Sequence, residues 1–244
     1  MNKILYINKR VISFHVYQTW STKELPPYMK KTIDHNKELN PDFIFHLYDD
    51  NDCRNFIKNN YNSDVLTAYD GLKPGAYKAD LWRYCILYMY GGIYMDVKIK
   101  LLFNFSLTEL VYSEHYVKDI AGPFDKIGIY NAFMVHEPRS PILFKLIEQI
   151  VINVKNKYYG ANPLSITGPE LFGNIYEKMG LNNLNIIHTP SGKLSFKNKI
   201  IAVMYPQYRE EQKMNGQIVN GQIINSQIVN IQHYSEMWKL KKVY

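Results

Sequence analysis

The chain has 244 residues, which is enough for one large α/β domain or two small ones with a substantial core. Its content of 46% hydrophobic and 21% charged residues is that of an ordinary globular protein. The formal net charge of +7 would favour polyanionic partners, but the lysines are scattered and the sequence has no basic stripe with interleaved aromatic residues. We therefore expect no nucleic-acid partner.

The sequence also lacks the usual signals for a membrane span or a structural metal. No window approaches 18 apolar residues and no apolar N-terminal run has signal-peptide length, so we predict a soluble, cytoplasmic protein. The two cysteines and seven histidines show neither zinc-ligand spacing nor a disulfide framework.

The first sixty residues alternate between strand and helix signals. Apolar runs predict strands at 12–17 and 43–48. Helices are predicted at 28–39, after Pro26-Pro27, and at 53–60, where the acidic run 49–52 can cap the first turn. This β-α-β-α order predicts an α/β fold with a mostly parallel central sheet flanked by helices.

The most informative block spans residues 75–100. A helix is predicted at 76–90, ended by Gly91-Gly92, and the alternation at 93–99 predicts a strand with a solvated, charged face. Asp80 and Arg83 share a helix face, whereas Asp96 and Lys98 share the strand face. The tight glycine turn would bring both pairs to one edge of the sheet, where open α/β sheets bind ligands.

Taken singly, these residues have plainer interpretations. Asp80 and Arg83 could form a helix-surface ion pair worth under about 1 kcal/mol, and Asp96 could be a solvated carboxylate. Together they favour a binding site, because carboxylates bind sugar hydroxyls or a divalent metal and cations bind a diphosphate.

The second half has weaker patterns. Short strands are predicted near 131–135, 185–188 and 199–204, with helices at 141–155 and from 167 to about 179. Residues 215–230 hold a five-residue repeat whose Asn-Gly pairs favour hairpin turns, which indicates a small β excursion or a surface loop. We predict a single domain over 1–244, with a donor-binding half at about 1–105 and an acceptor-side half at about 106–244.

Several motifs resemble the DXD-motif, sugar-binding-region glycosyltransferases. That family includes yeast outer-chain mannosyltransferases, bacterial capsular polysaccharide transferases and viral relatives. The resemblance runs from about residue 12 to 100, and it resumes in three short later pieces. The matching motifs are Gln18-Thr19-Trp20, Ala79-Asp80-Leu81 with Arg83-Tyr84, Gly91-Gly92-Ile93-Tyr94-Met95-Asp96, Asn131-Ala132-Phe133, Thr167-Gly168-Pro169, and His233-Tyr234 to Trp238.

The resemblance implies a GT-A (Rossmann-like) nucleotide-sugar-binding fold, transfer with retention of configuration, and Mn²⁺ or Mg²⁺ as cofactor. Asp96 would be the first Asp of the metal motif, Asn131 would lie near the reacting centre, and Asp80 with Arg83 would hold the donor sugar. The full set of donor-binding residues that it implies is Gln18, Trp20, Asp80, Arg83, Tyr94, His233 and Trp238.

Two positions depart from the family pattern. Tyr17 replaces the usual His before Gln-Thr-Trp, and Lys98 replaces the second Asp of the metal motif. An ammonium group cannot ligate a divalent ion. Either Asp96 holds the metal with other ligands and water, or Lys98 itself neutralises the leaving diphosphate as a catalytic cation. We therefore expect only a weak requirement for Mn²⁺ or Mg²⁺.

The function predicted from these observations is sugar transfer from a nucleotide-sugar donor, with UDP-sugar favoured over GDP-sugar, to a glycan, glycoprotein or other hydroxyl acceptor. No protein base is required if the departing phosphate oxygen takes the acceptor proton. The alternative is a catalytically inactive nucleotide-sugar or glycan-binding protein.

The abundance of Tyr, Asn, Ile and Lys, all with A/T-rich codons, suits a virus or an A/T-rich bacterium. Polysaccharide biosynthesis is the expected setting, in the host cytoplasm or the virion if the source is viral.

Overall fold

The computed structural model describes residues 10–120, 127–213, 218–219, 222–223 and 233–244. Its strands are β1 His15–Thr19, β2 Ile44–Tyr48, β3 Gly92–Met95, β4 Ile99–Leu101, β5 Tyr116–Lys118, β6 Phe133–His136, β7 Leu184–His188, β8 Lys193–Phe196, β9 Lys199–Met204, β10 Ile218–Val219 and β11 Gln222–Ile223. Its helices are α1 Pro27–Leu39, α2 Asp50–Asn60, α3 Ser63–Gly71, α4 Gly75–Tyr90, α5 Pro141–Lys155, α6 Pro169–Lys178, α7 Tyr208–Lys213 and α8 Tyr234–Lys239, with a 3₁₀ helix at Leu107–Leu110.

The first sheet has the strand order β2-β1-β3-β6. The pairs β1–β2 and β1–β3 are parallel, and β6 joins β3 in the antiparallel direction. The predicted β-α-β-α start and the parallel centre of this sheet are therefore confirmed. The carboxyl ends of β1, β2 and β3 meet at one edge, as expected for parallel strands.

A second sheet, with the order β4-β9-β8-β7-β5, packs against the first. It is antiparallel except for the pair β5–β7, which is parallel. Between the two sheets lies an apolar cluster that includes Val16, Ile93, Val117, Ile186 and Ile201. The other face of the first sheet is covered by helices α2 to α6 through a second, larger cluster.

The glycine turn between α4 and β3 is sterically required. Gly91 has a φ of 61° and Gly92 a φ of 105°, both in the left-handed region that disfavours other residues. A Cβ atom on Gly92 would lie 2.7 Å from the carbonyl oxygen of His15. The turn lets β3 run back along α4, so the end of the strand reaches the first half of the helix.

The predicted strand at 93–99 is wrong in its extent and its environment. Strand β3 ends at Met95, a turn follows in which the Ile99 amide donates to the Asp96 carbonyl at 3.0 Å, and β4 then enters the second sheet. The face expected to be solvated is buried, since Tyr94 is 1% exposed. The alternating pattern predicted that one face of this strand is exposed to solvent. In the structure, helices cover that face of β3 and the second sheet covers the opposite face.

Other differences are local. The N-terminus of α2 has the expected acidic cap, a capping box between Asp49 and Asp52. Helices α3, α7 and α8 and strand β8 were not predicted. Within the repeat at 215–230 the structure describes only β10 and β11, an antiparallel pair that agrees with a small β excursion; the remaining residues lie outside the described ones. Among the described residues, no helix is long and apolar enough to cross a membrane.

Candidate active site

The first pair of site residues is buried, so the interpretation as a surface ion pair is wrong. Asp80 and Arg83, on the first half of α4, are 8% and 6% exposed. Their charged groups are 3.3 Å apart, and the Arg83 guanidinium lies 4.4 Å from the ring centroid of Tyr94 on β3. The packing of α4 against β3 thus holds both charges beneath the carboxyl edge of the first sheet.

The second pair lies in the turn that follows β3. The Lys98 ammonium is 2.7 Å from one oxygen of Asp96, and the Tyr94 hydroxyl donates to the other oxygen at 2.6 Å. Arg83 is 3.5 Å from that same oxygen. Two cations therefore share the Asp96 carboxylate, and the two polar pairs predicted separately form one network.

Asn131 and Thr167 join the network through Asp80. The Asn131 amide donates to one oxygen of Asp80 at 2.9 Å, and the Thr167 hydroxyl donates to the other at 2.7 Å. Arg83 also donates to the Asn131 carbonyl at 2.9 Å, and the Asn131 amide donates to the Tyr84 hydroxyl at 2.8 Å. The loop before β6 and the start of α6 are thereby tied to α4.

The network carries two carboxylates and two cations, so its formal charge is zero. Burial would raise the pKa of Asp96, but the charges of Lys98 and Arg83 and hydrogen bonds from Lys98 and Tyr94 lower it below its ordinary value. Burial raises the pKa of Asp80 despite Arg83 and its hydrogen bonds. Burial would lower the pKa of Lys98, but Asp96 raises it above its ordinary value, so Lys98 stays charged at neutral pH.

Gln18 and Trp20 flank this network at the end of β1. Gln18 is 1% exposed and donates its side-chain amide to the Met95 carbonyl at 3.2 Å, which fixes the end of β3 beside Asp96. Trp20 packs against the small apolar cluster that contains Val97. Both predicted donor residues therefore border the site, although the described contacts of Gln18 are structural.

His233 and Trp238 are not part of the network. His233 caps the N-terminus of α8, and the Trp238 indole donates to the Tyr159 carbonyl at 2.6 Å. Helix α8 nevertheless lies close to the site. The Tyr234 ring centroid is 5.7 Å from that of Tyr77 on α4. Burial and the charge of Asp80 raise the pKa of Tyr234, and the charge of Lys98 opposes that rise. The roles predicted for His233 and Trp238 stay predictions.

Several residues near the site were missed by the sequence analysis. The ring centroid of Tyr130 is 5.5 Å from the Lys98 ammonium. Burial raises the pKa of Tyr208 and of Tyr234, and the charge of Lys98 opposes that rise. These residues come from segments far apart in the chain, and no local pattern marks them. Thr167 lay within a recognised motif, but only as a helix start.

The residues present do not fit a divalent metal held by the protein alone. Within the described ranges there is no group of three or more His, Cys, Asp and Glu side chains that could hold a metal. The one predicted ligand, Asp96, already binds Lys98 and Tyr94, and two cations adjoin it. Cations repel a divalent ion and cannot ligate it, so the surroundings of Asp96 do not suit such an ion.

The fold is that of the GT-A glycosyltransferases. The structure resembles the solved "PaToxG Glycosyltransferase" with a TM-score of 0.55 at 17% sequence identity, covering 69% of this chain and 70% of that one. This similarity confirms the expected fold. The family model described as "Glycosyltransferase sugar-binding region containing DXD motif" matches residues 26–116 and confirms the resemblance inferred from the motifs. That segment contains Asp80, Arg83, Tyr94, Asp96 and Lys98.

Relatives of known name agree with this assignment. Inositol phosphoceramide mannosyltransferase 2 of Schizosaccharomyces pombe is 30% identical over 169 residues, which are 69% of this chain and 47% of the relative. An uncharacterized glycosyltransferase of Acanthamoeba polyphaga mimivirus is 25% identical over 173 residues, 69% of this chain and 66% of the relative. The chain thus spans about half the length of the first of these curated relatives.

Proposed function

We propose that the protein is a glycosyltransferase that moves a sugar from a nucleotide-sugar donor to a hydroxyl acceptor. The observation that carries this proposal is the buried, charge-neutral network of Asp80, Arg83, Asp96, Lys98 and Asn131 at the carboxyl edge of the first sheet. Buried charges with shifted pKa values are costly and cluster at functional sites. Most of this network lies within the segment that matches the family model.

Lys98 is the cation best placed to act on the leaving group. Its side chain is 18% exposed, against 7% for Arg83, and it lies at the mouth of the network among tyrosines. When the bond between the sugar and the diphosphate breaks, negative charge gathers on the phosphate oxygens, and a fixed cation stabilises that charge. Arg83 lies behind Asp96 and holds it in place. Transfer with retention of configuration is part of this proposal.

The donor sugar proposed for the first test is mannose, because the fungal relative is named a mannosyltransferase. UDP is the nucleotide favoured from the sequence, and GDP is the alternative, so both UDP- and GDP-sugars belong in one thermal-shift screen, with and without Mn²⁺. A specific donor at a hundredfold excess over its Kd stabilises the protein by about 2.7 kcal/mol. Stabilisation by no nucleotide sugar would contradict the proposal.

A binding-only protein is the second candidate, because Lys98 stands where the family has a metal-binding carboxylate. Release of nucleoside diphosphate from the stabilising donor distinguishes the two functions. Turnover supports the transferase, whereas donor binding without turnover supports the binding protein. The configuration of the product, read from its anomeric proton by NMR, then tests retention.

A further inference from the structure

Two segments that are far apart in the chain, one at the end of α5 and one that includes α8, lie against each other. The Trp238 indole donates to the Tyr159 carbonyl at 2.6 Å, and the Tyr244 hydroxyl donates to the Tyr158 carbonyl at 2.5 Å. The ring centroids of Tyr159 and Tyr244 are 5.4 Å apart. These contacts hold the two segments together, so side chains from both form one surface.

Exposed lysines from both segments lie on this surface, which we call the basic surface. They are Lys155, Lys157, Lys239, Lys241 and Lys242. Across residues 155–160 and 233–244 the only acidic side chain is that of Glu236. Five lysines against one carboxylate leave an excess of four positive charges. The fold thus assembles a basic region from lysines that are scattered in the sequence.

Apolar side chains are exposed beside these lysines. Leu240, which lies between Lys239 and Lys241 in the chain, is 53% exposed, and Tyr158 is 48% exposed. Tyrosine and tryptophan have an apolar body and a polar group, and lysine has a long apolar stem below its ammonium. Side chains of these types are typical of the boundary between lipid headgroups and acyl chains.

The aromatic rings here are poorly placed to stack on nucleobases. The Lys241 ammonium lies 4.0 Å from the ring centroid of Tyr159 and 5.1 Å from that of Trp238, so it covers one face of each ring. Single-stranded nucleic acids bind by stacking their bases on free aromatic faces. An anionic membrane instead needs positive charge beside exposed apolar groups. The observations therefore favour a lipid surface over nucleic acid.

We propose that the basic surface docks the protein on membranes that carry anionic lipid headgroups. The lysines attract the headgroups, and the exposed side chains of Leu240 and Tyr158 enter the boundary with the acyl chains. Electrostatic attraction and burial of apolar area add in this kind of binding. The proposal goes beyond sugar transfer, and its test measures binding without turnover.

Co-sedimentation of the full chain with lipid vesicles tests the proposal. The vesicles contain either equal parts of phosphatidylserine and phosphatidylcholine, or phosphatidylcholine alone. We expect wild type to bind the anionic vesicles and to be released by salt, since salt screens the attraction. Combining Lys239→Gln, Lys241→Gln and Lys242→Gln should lower the partition coefficient on the order of 100-fold.

The matched control removes the same charge from exposed lysines on α2 and the second sheet. It combines Lys58→Gln, Lys193→Gln and Lys199→Gln. We expect this control to lower vesicle binding by less than about threefold, because charges more than a Debye length from the membrane are screened. Lys155→Gln with Lys157→Gln should weaken binding by about tenfold or more, with α8 unchanged. Thermal melting of each variant verifies that it is folded.

Leu240→Ser distinguishes a membrane from a soluble polyanion. It should lower binding to the anionic vesicles by about fivefold, because apolar area no longer leaves water. Binding of single-stranded DNA, measured in parallel, should be weaker than vesicle binding and unaffected by this change.

Three results would overturn the proposal. The first is a wild type that does not prefer the anionic vesicles. The second is an equal loss of binding in the basic-surface and control variants, which would indicate attraction to net charge alone. The third is tighter binding of DNA than of vesicles with no effect of Leu240→Ser on either, which would indicate a nucleic-acid surface. None of them bears on sugar transfer, which the thermal-shift screen and diphosphate release test separately.

Discussion

At the residue scale, the two cations around Asp96 distinguish this site from one built on two carboxylates. The spacing of Asp80 with Arg83 and of Asp96 with Lys98 predicts two pairs, and the glycine turn predicts that the pairs meet. The sequence alone does not predict that Asp80 and Arg83 are buried, because two opposite charges on one helix face can equally form an ion pair at the surface. Tyr94 packs against Arg83, and Asn131 and Thr167 donate to Asp80; all three come from other segments.

Replacing Lys98 with alanine should lower turnover, whereas replacing it with aspartate should increase the response to Mn²⁺. Lys98→Ala removes the cation that we propose stabilises the leaving group, and a unit charge pair near 4 Å is worth up to about 4 kcal/mol at an effective dielectric of about 20. We expect turnover to fall by about 10- to 1000-fold. Lys98→Asp should instead increase activation by Mn²⁺, because the network would then carry an excess of two negative charges.

The measurement is initial rate with chelator and with Mn²⁺, in wild type and both variants. Lys100→Ala, two residues further on, is the matched control for loss of a lysine. Strict Mn²⁺ dependence of the wild type, together with a fully active Lys98→Ala, would show that Lys98 takes no part in catalysis.

The balance of charges predicts how the network responds to paired changes. Asp96→Asn leaves two buried cations facing one carboxylate, and we expect a loss of about 2–4 kcal/mol in the free energy of unfolding. Lys98→Met, which leaves two carboxylates with Arg83, should also destabilise. The double variant restores neutrality, so its loss should be smaller than the sum of the single losses by at least about 1 kcal/mol.

Urea denaturation of the four proteins completes this double-mutant cycle. Additive losses would mean that Asp96 and Lys98 do not interact in the folded protein, despite their 2.7 Å contact.

At the element scale, the features that depend on a few neighbouring residues were predicted correctly. Those that depend on contacts between distant segments were not. Three features depend on only a few neighbouring residues: the cap of α2, the turn at Gly91 and Gly92, and the apolar face of α5. Strand β3 was predicted too long because alternation continues through the turn into β4. Helices α7 and α8 are only six residues long, and their positions depend on packing against distant elements.

The junction of β5 and β6 should give the protein a pH-dependent stability. Burial opposes ionisation of Glu114, yet hydrogen bonds from His136, Ser140 and Tyr116 and the charge of His136 lower its pKa from 4.5 to about 2. The unfolded chain therefore binds a proton here before the folded chain does. Stability from Glu114 is fully present above pH 4.5 and is lost as the pH falls towards 2.

Comparing Glu114→Gln with wild type in urea melts between pH 6 and 2.5 measures this contribution, since other carboxylates titrate in both proteins. The difference in unfolding free energy should shrink as the pH falls. The exposed Glu137→Gln change next to it is the matched control. A difference that stays constant over this range would contradict the assignment.

The repeat at 215–230 should be dispensable for chemistry. The strands β10 and β11 pair with each other and, among the described strands, with no others. Deleting residues 225–229 or 220–224 removes one repeat unit in each case, and we expect less than a twofold change in turnover for both. Purified variants would be compared by donor turnover and thermal melting. Failure of either to fold would show that the repeat is part of the core.

At the scale of the whole molecule, the site is assembled from α4, the end of β3 with the turn after it, and the segments that precede β6 and α6. The sequence could predict the first half of the chain well, since the β-α-β-α order and the family motifs lie there. It could not predict that Asn131 and Thr167 donate to Asp80, because these hydrogen bonds join residues 51 and 87 positions apart in the chain. Long-range pairings of this kind leave no periodic pattern in a single sequence.

The neutrality of the buried network also restricts how this site can change over generations. Lysine and aspartate codons differ at two positions, so the path from Lys98 to a metal-binding aspartate passes through asparagine or glutamate. Either intermediate leaves the network with excess negative charge before a metal can restore the balance. Such a substitution would be tolerated only if another cation had first been introduced into the site, or if the folded protein were stable enough to bear the loss. Single nucleotide changes therefore do not readily exchange Lys98, with the role proposed for it, for a metal-binding aspartate.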